Sequence, residues 1–189
     1  MVSVQIRRAN LEDVPGIVLV NVRSWQKAYA DIVPEDFLNG LDRDRPAREQ
    51  RWRESLQRSS LETVFVATDP DERVIGYSRG RASSPPHFGH DAELTSLYLL
   101  PEAWGQGLGG SLVVALARSL AAGGHRSLLT WVLRENLRAV RFYERWGGVR
   151  LGSVESTIGG RSLVEVGYGW RDISALTEAA GKSIAAKIL

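Results

Sequence analysis

The apolar positions of this chain recur in two rhythms, and the switches between them divide it into short strands and short helices. Residues 3–8 alternate closely enough for a first strand. From residue 12 to 30, Ile17, Val20, Val22, Trp25, Ala28 and Tyr29 approximate a helical stripe, with Asn10 as cap and Asp13 in its first turn. Pro34 suits the opening of a second helix over 35–41, and Asp44 is placed to cap a third over 45–58. Strands follow at 63–68 and 74–82 around the turn Asp69-Pro70-Asp71-Glu72-Arg73. A loop over 83–90, carrying Pro85-Pro86, leads into a strand over 91–100. Leu112, Val113, Leu116 and Leu120 give the buried face of a helix over 111–120, which Gly123-Gly124 ends. Residues 127–133 read as a strand and 136–146 as a helix, and strands over 150–158 and 161–170 flank the hairpin signal Gly159-Gly160. The tail is weakly amphipathic through Ile173, Leu176, Ala180, Ile184, Ile188 and Leu189, a packing helix or a frayed end.

The order β-ααα-β-β-β-α-β-α-β-β predicts the α+β class with a mixed, mostly antiparallel sheet. The expected organisation is one domain over 1–172 and a tail over 173–189, since 189 residues fall within the range of a single core. Composition narrows the partners. No apolar run approaches the ~20 residues of a membrane span, and no secretory h-region opens the chain, so no membrane partner is expected. There is no Cys, hence neither disulfide nor thiol chemistry, which fits a cytoplasmic setting. The net charge is only +2. The arginines from 43 to 58 are interleaved with Asp42, Asp44, Glu49 and Glu54, a paired helix surface and not a nucleic-acid footprint. No His, Asp or Glu grouping has metal-ligand spacing, so no metal is expected.

Between the strand over 93–100 and the apolar helix lies Trp104-Gly105-Gln106-Gly107-Leu108-Gly109-Gly110. Strand, glycine turn and helix start together make a phosphate-binding device: glycine lets the backbone approach an anion, and the helix start offers unpaired N–H groups. A Walker loop is excluded because the segment has no Lys. A dinucleotide fingerprint is formally present, yet the segment is central in the chain and about 20 residues on lie only Gly123, Gly124, His125 and Arg126 instead of an acid.

A second motif, Asn136-Leu137-Arg138-Ala139-Val140-Arg141-Phe142-Tyr143-Glu144-Arg145-Trp146-Gly147, follows the strand over 127–133. Together the two segments resemble the GCN5-related N-acetyltransferase (GNAT) superfamily. Gly107 and Gly109 match its central Gln/Arg-x-x-Gly-x-Gly/Ala motif, and Asn136, Ala139, Phe142, Tyr143 and Gly147 match its second. Trp104 departs at the Gln/Arg position, and Gly148 stands where an aromatic commonly follows. The resemblance implies a three-layer fold of about seven strands, splayed between strands 4 and 5, with helices on both faces. It also implies an N-acetyltransferase that uses acetyl-CoA as co-substrate, with a small-molecule amine or peptide as acceptor and a homodimer as one arrangement. A catalytically silent acyl-CoA-binding module is the alternative, and a longer acyl donor a third.

By the same resemblance the backbones of Leu97, Tyr98 and Leu99 pair with the pantetheine amides. Gly105, Gln106, Gly107, Leu108, Gly109 and Gly110 cradle the pyrophosphate, and Phe142 lies against the cofactor. Asn136 holds the pantetheine arm or caps a helix, and one Asn can do both. Tyr143, seven residues on and so on Asn136's helix face, is the candidate acid for the departing thiolate. A lysine-like acceptor has a reference pKa of about 10.4, so neutralising it near pH 7.4 costs about 4 kcal/mol. Glu93, four residues before Leu97 and on its face by the period of two, is the candidate base, with His87 and His90 as alternatives. Trp131 stands where the family's ribosomal-protein alanine acetylases carry a Glu, which argues against that acceptor. Trp25, Tyr29 and Asp31, with His87, are candidates for the acceptor pocket.

Overall fold

In a computed structural model that describes residues 4–58 and 62–178, the two rhythms resolve into β1 (Gln5–Arg8), α1 (Val14–Ala28), α2 (Glu35–Arg43), α3 (Arg45–Gln57), β2 (Glu62–Thr68), β3 (Val74–His87) and β4 (His90–Leu99). These are followed by α4 (Leu108–Ala122), β5 (Leu128–Leu133), α5 (Leu137–Arg145), β6 (Val149–Ile158) and β7 (Arg161–Trp170). The sheet runs β1-β2-β3-β4-β5-β7-β6, and every neighbouring pair is antiparallel except β4 with β5. This is the α+β, seven-stranded arrangement expected.

Burial separates the two helical layers. Leu94, Val113, Leu116, Ala117, Leu120, Leu128, Val132 and Tyr143 close one core beneath α4 and α5. Val14, Val18, Val22, Leu38, Leu41 and Leu133 form another, and Ile17, Val20, Val64, Val66 and Tyr77 a third, beneath α1 to α3. Ile173 and Leu176 are buried in the first core, so the start of the tail packs; its apolar positions from Ala180 onward lie outside the described residues.

Three local expectations change. The segment over 83–90 is a hairpin, not a loop: the ladder pairs Ala82 with Ala92 and His87 with His90, and the turn sits at Phe88 and Gly89, both at positive φ. The register of the ladder shifts between Ala82 and His87, the stretch that carries Pro85 and Pro86. Asp44 makes no side-chain cap; its carboxylate pairs with Arg51 at 2.7 Å. And α4 starts at Leu108 because Gly107, at φ +83°, is its N-cap.

The site is made by a failure of pairing. β4 and β5 are joined only at Ala92–Leu128 and Glu93–Leu129 and then part. Asp91 pins the closed end: its carboxylate accepts from the N–H groups of Arg126 and Ser127 and from the Ser127 hydroxyl, at 2.9–3.0 Å. Just beyond, the Thr130 hydroxyl donates to Leu94 O at 2.9 Å. Leu94 pairs with Gly80 and Ser96 with Arg79, so Thr95 is an extra residue in β4. That bulge reverses the alternation. Leu94 and Leu97 point to the α4 layer, and Glu93 shares the opposite face with Ser96 and Tyr98. Glu93 and Leu97 are therefore not on one face, as the simple period of two predicts.

Burial alone works to raise the Asp91 pKa, but the Arg126 and Ser127 donors outweigh it and the net shift is downward. A depressed pKa contributes stability above the ordinary aspartate value of about 3.9, and that contribution is lost as pH falls through the lower folded value. Asp91→Ala is expected to cost about 2 kcal/mol, roughly 5 °C in thermal midpoint for a chain of this size. The gap between variant and parent, measured by calorimetry, closes below about pH 4.

Candidate active site

Where β4 and β5 separate, a cleft of about 580 Å³ opens between them, roofed by the glycine turn and flanked by α1 and α5. Gly105 and Gly107 lie on its wall at φ +77° and +83°, a conformation that L side chains rarely adopt. The position where a Cβ would stand on Gly105 is open space. Leu108, Gly109 and Gly110 bring the unpaired N–H groups of the α4 N-terminus to the same wall. Gln106 turns away: its amide donates to Glu102 O at 2.9 Å. The Trp104 indole N–H donates to Leu99 O at 2.9 Å, and the Arg138 guanidinium lies 3.7 Å above the indole ring.

Phenols form the floor. Tyr143 is 6% exposed, its ring held among Phe142, Tyr168 and Trp170, and it borders the cleft. Burial raises its pKa well beyond the ordinary phenol range; Thr130, beside the hydroxyl, works against that shift without cancelling it. Tyr29 and Tyr98 have hydroxyls 3.5 Å apart, and burial raises both of their pKa values too. Asn136 accepts the Ala139 N–H at 3.2 Å and caps α5, while its side chain also reaches the Tyr29 hydroxyl. The floor thus holds neutral O–H groups at any ordinary pH. The wall holds backbone amides suited to an anion.

A sequence profile of the Acetyltransferase (GNAT) family matches residues 24–148. The chain belongs to this family. It is 36% identical over 173 residues to the uncharacterized N-acetyltransferase YuaI of Bacillus subtilis, covering 92% of this chain and 96% of that protein. It is 26% identical over 167 residues to a spermidine N(1)-acetyltransferase of Thermoplasma acidophilum, covering 88% and 98%. In fold it is similar to the crystal structure of PaiA N-acetyltransferase from Thermoplasma acidophilum in complex with coenzyme A, with TM-score 0.67, 21% identity and coverage of 87% and 98%. The chain is an acetyl-CoA-dependent N-acetyltransferase. Acetyl-CoA supplies the acetyl group as a thioester, and the glycine wall with its outward N–H groups fits the diphosphate.

In this GNAT fold, Leu97, Tyr98, Leu99, Gly105, Gly107, Leu108, Gly109, Gly110, Asn136, Phe142 and Tyr143 all border one cleft, and so does Tyr29. The other expected site residues do not border it. Glu93 is held by Arg81 at 3.0 Å, and Gln106 turns outward. Trp25 packs behind Tyr29 with ring centroids 4.8 Å apart, and Asp31 is exposed in the turn after α1. His87 packs edge-on against Phe88 and tilted against Trp131 at the hairpin tip, and His90 is buried with Nδ1 on Phe88 O. Several bordering residues were not foreseen in a site role. Ser24 donates to Leu99 O at 2.8 Å, and Thr130, Trp131 and Arg138 complete the walls. Only the arginine carried a signal: it stands in the second motif while the first lacks a cation.

Proposed function

We propose that the acetyl group passes directly to a primary amine of a small molecule, with Tyr143 protonating the leaving thiolate. The observation that carries this reading is the Tyr143 hydroxyl, buried on the floor of the cleft whose wall is the glycine turn. The splayed edge of β4 at Leu97 to Leu99 offers backbone groups to pair with an amide-bearing arm, and an N–H near Leu99 stabilises the charge that develops on the carbonyl oxygen. Asn136 would share its side chain between the helix cap and that arm.

The acceptor enters from the side of α1, past Tyr29, Tyr98 and Trp131, an aromatic surface suited to a cationic amine before deprotonation. Glu165 lies on the same sheet face as Trp131: on β7 it pairs with Leu133, two residues along β5. Glu93, outside the cleft and paired with Arg81, is the proposed base and would act through water, with His87 beside Trp131 as the alternative. A homodimer is part of this reading by family resemblance alone, and sedimentation would test it.

The test is release of CoA thiol across a panel of polyamines, aminoglycosides, amino acids and peptides. Polyamines head it because one relative is a spermidine acetyltransferase. Turnover of a small amine supports the reading; tight acetyl-CoA binding with no transfer to any member favours a silent binding module. A pH dependence follows as well. The acid must be protonated, and burial raises its pKa, so kcat should show no descending limb from Tyr143 up to about pH 10, the ordinary phenol value. A full pH–kcat profile checks this.

A further inference from the structure

We propose that Arg138, seated on the indole face of Trp104, supplies the side-chain cation that holds the diphosphate of the donor. This rests on acetyl-CoA being the donor and goes beyond the backbone cradle. From Pro101 to Gly110 the turn contains no Lys or Arg, and its one charged residue is Glu102. A doubly charged diphosphate on that wall therefore meets backbone N–H groups and no positive side chain from the turn itself. Arg138 comes from the opposite jaw, in the first turn of α5, and still borders the cleft.

Its neighbours leave it available. Among the described residues Arg138 makes no ion pair; the nearby Glu135 carboxylate is taken by Arg134 at 3.2 Å. Its guanidinium lies 3.7 Å over the Trp104 ring. That contact engages the cation with the ring, and since Arg138 makes no hydrogen bond among the described residues, its N–H groups are free to fork onto phosphate oxygens. Trp104 is itself fixed, because its indole N–H is spent on Leu99 O. The ring thus stands where the family's motif has Gln or Arg, and serves as a platform for a cation delivered from elsewhere. Arg145, two turns further along α5, also borders the cleft and adds to the positive rim.

The experiment measures binding by calorimetry of CoA and of dephospho-CoA, which keeps the diphosphate but lacks the 3′-phosphate, at low and high salt. It also measures kcat/KM with S-acetylpantetheine, which has no phosphate. Arg138→Met is expected to weaken CoA and dephospho-CoA alike by about tenfold, to reduce the salt dependence of both, and to leave S-acetylpantetheine unchanged. Arg138→Lys should recover part of the loss, as a point charge without the fork. Unchanged affinity for both nucleotides overturns the proposal. So does a loss for CoA alone, which moves the contact to the 3′-phosphate, or an equal loss with S-acetylpantetheine, which makes the role structural. Trp104→Leu should reproduce the loss if its thermal midpoint is retained; Arg138→Met decides the matter if it is not.

Discussion

Replacing Tyr143 by Phe is expected to lower kcat about a hundredfold while the Kd for acetyl-CoA changes less than about twofold. The substitution removes one oxygen and keeps the ring among Phe142, Tyr168 and Trp170, so the floor of the cleft keeps its shape. Thr130 still donates to Leu94 O, so the opening of the sheet is undisturbed. What disappears is a proton that burial keeps on the phenol at every working pH. Single-turnover kinetics read the chemical step apart from product release. An unchanged chemical rate removes Tyr143 as the acid; a loss confined to KM makes it a binding group.

Gly110→Ala is expected to destabilise the protein by about 3 kcal/mol, near 10 °C in thermal midpoint, and to abolish measurable acetyl-CoA binding. A Cβ at this position would stand 2.1 Å from Cζ2 and 2.7 Å from Cη2 of Trp146. The indole has nowhere simple to go, because Phe142 lies against it and Trp146 O holds the Trp170 indole N–H at 2.7 Å. The ring and the first turn of α4 must therefore separate. That turn carries the amides proposed to hold the diphosphate, and the helix before Trp146 carries Asn136 at its cap with Arg138 and Tyr143, so one methyl group disturbs both walls. Calorimetric unfolding and a CoA titration on the same preparation measure the two effects.

Much of this was legible in the chain itself. The strands and helices fell close to their expected places because each was bracketed by its own punctuation: Pro34, Gly123-Gly124, Gly159-Gly160. That the glycine turn, Asn136 and Tyr143 border one cleft was legible too, the turn from its place between strand and helix and the pair from helical spacing. The errors arose where one residue breaks a period. Thr95 is an extra residue in β4, and alternation counted through it puts Glu93 on the wrong side of the sheet. The hairpin over 83–90 was hidden because prolines there imply a loop, and the register shift between Ala82 and His87 cannot be read from spacing. Ser24 and Arg138 reach the cleft from elements distant in sequence, and spacing cannot show which long-range neighbours meet. Trp104 reads in the sequence as a lost phosphate contact, and its seat beneath Arg138 is a long-range contact that spacing does not show.

The two residue pairs that join β4 to β5 leave a molecule of two leaves, four strands on one side and three on the other, hinged along a seam closed by Asp91. The proposed donor turn and acceptor entrance belong largely to the first leaf, and the proposed proton donor and arginine to the second. The angle between the leaves then sets the distance between reacting groups. A substitution at Asp91 or Ser127, at the crotch and outside the lining of the cleft, should be felt as altered turnover even at temperatures where the fold is intact.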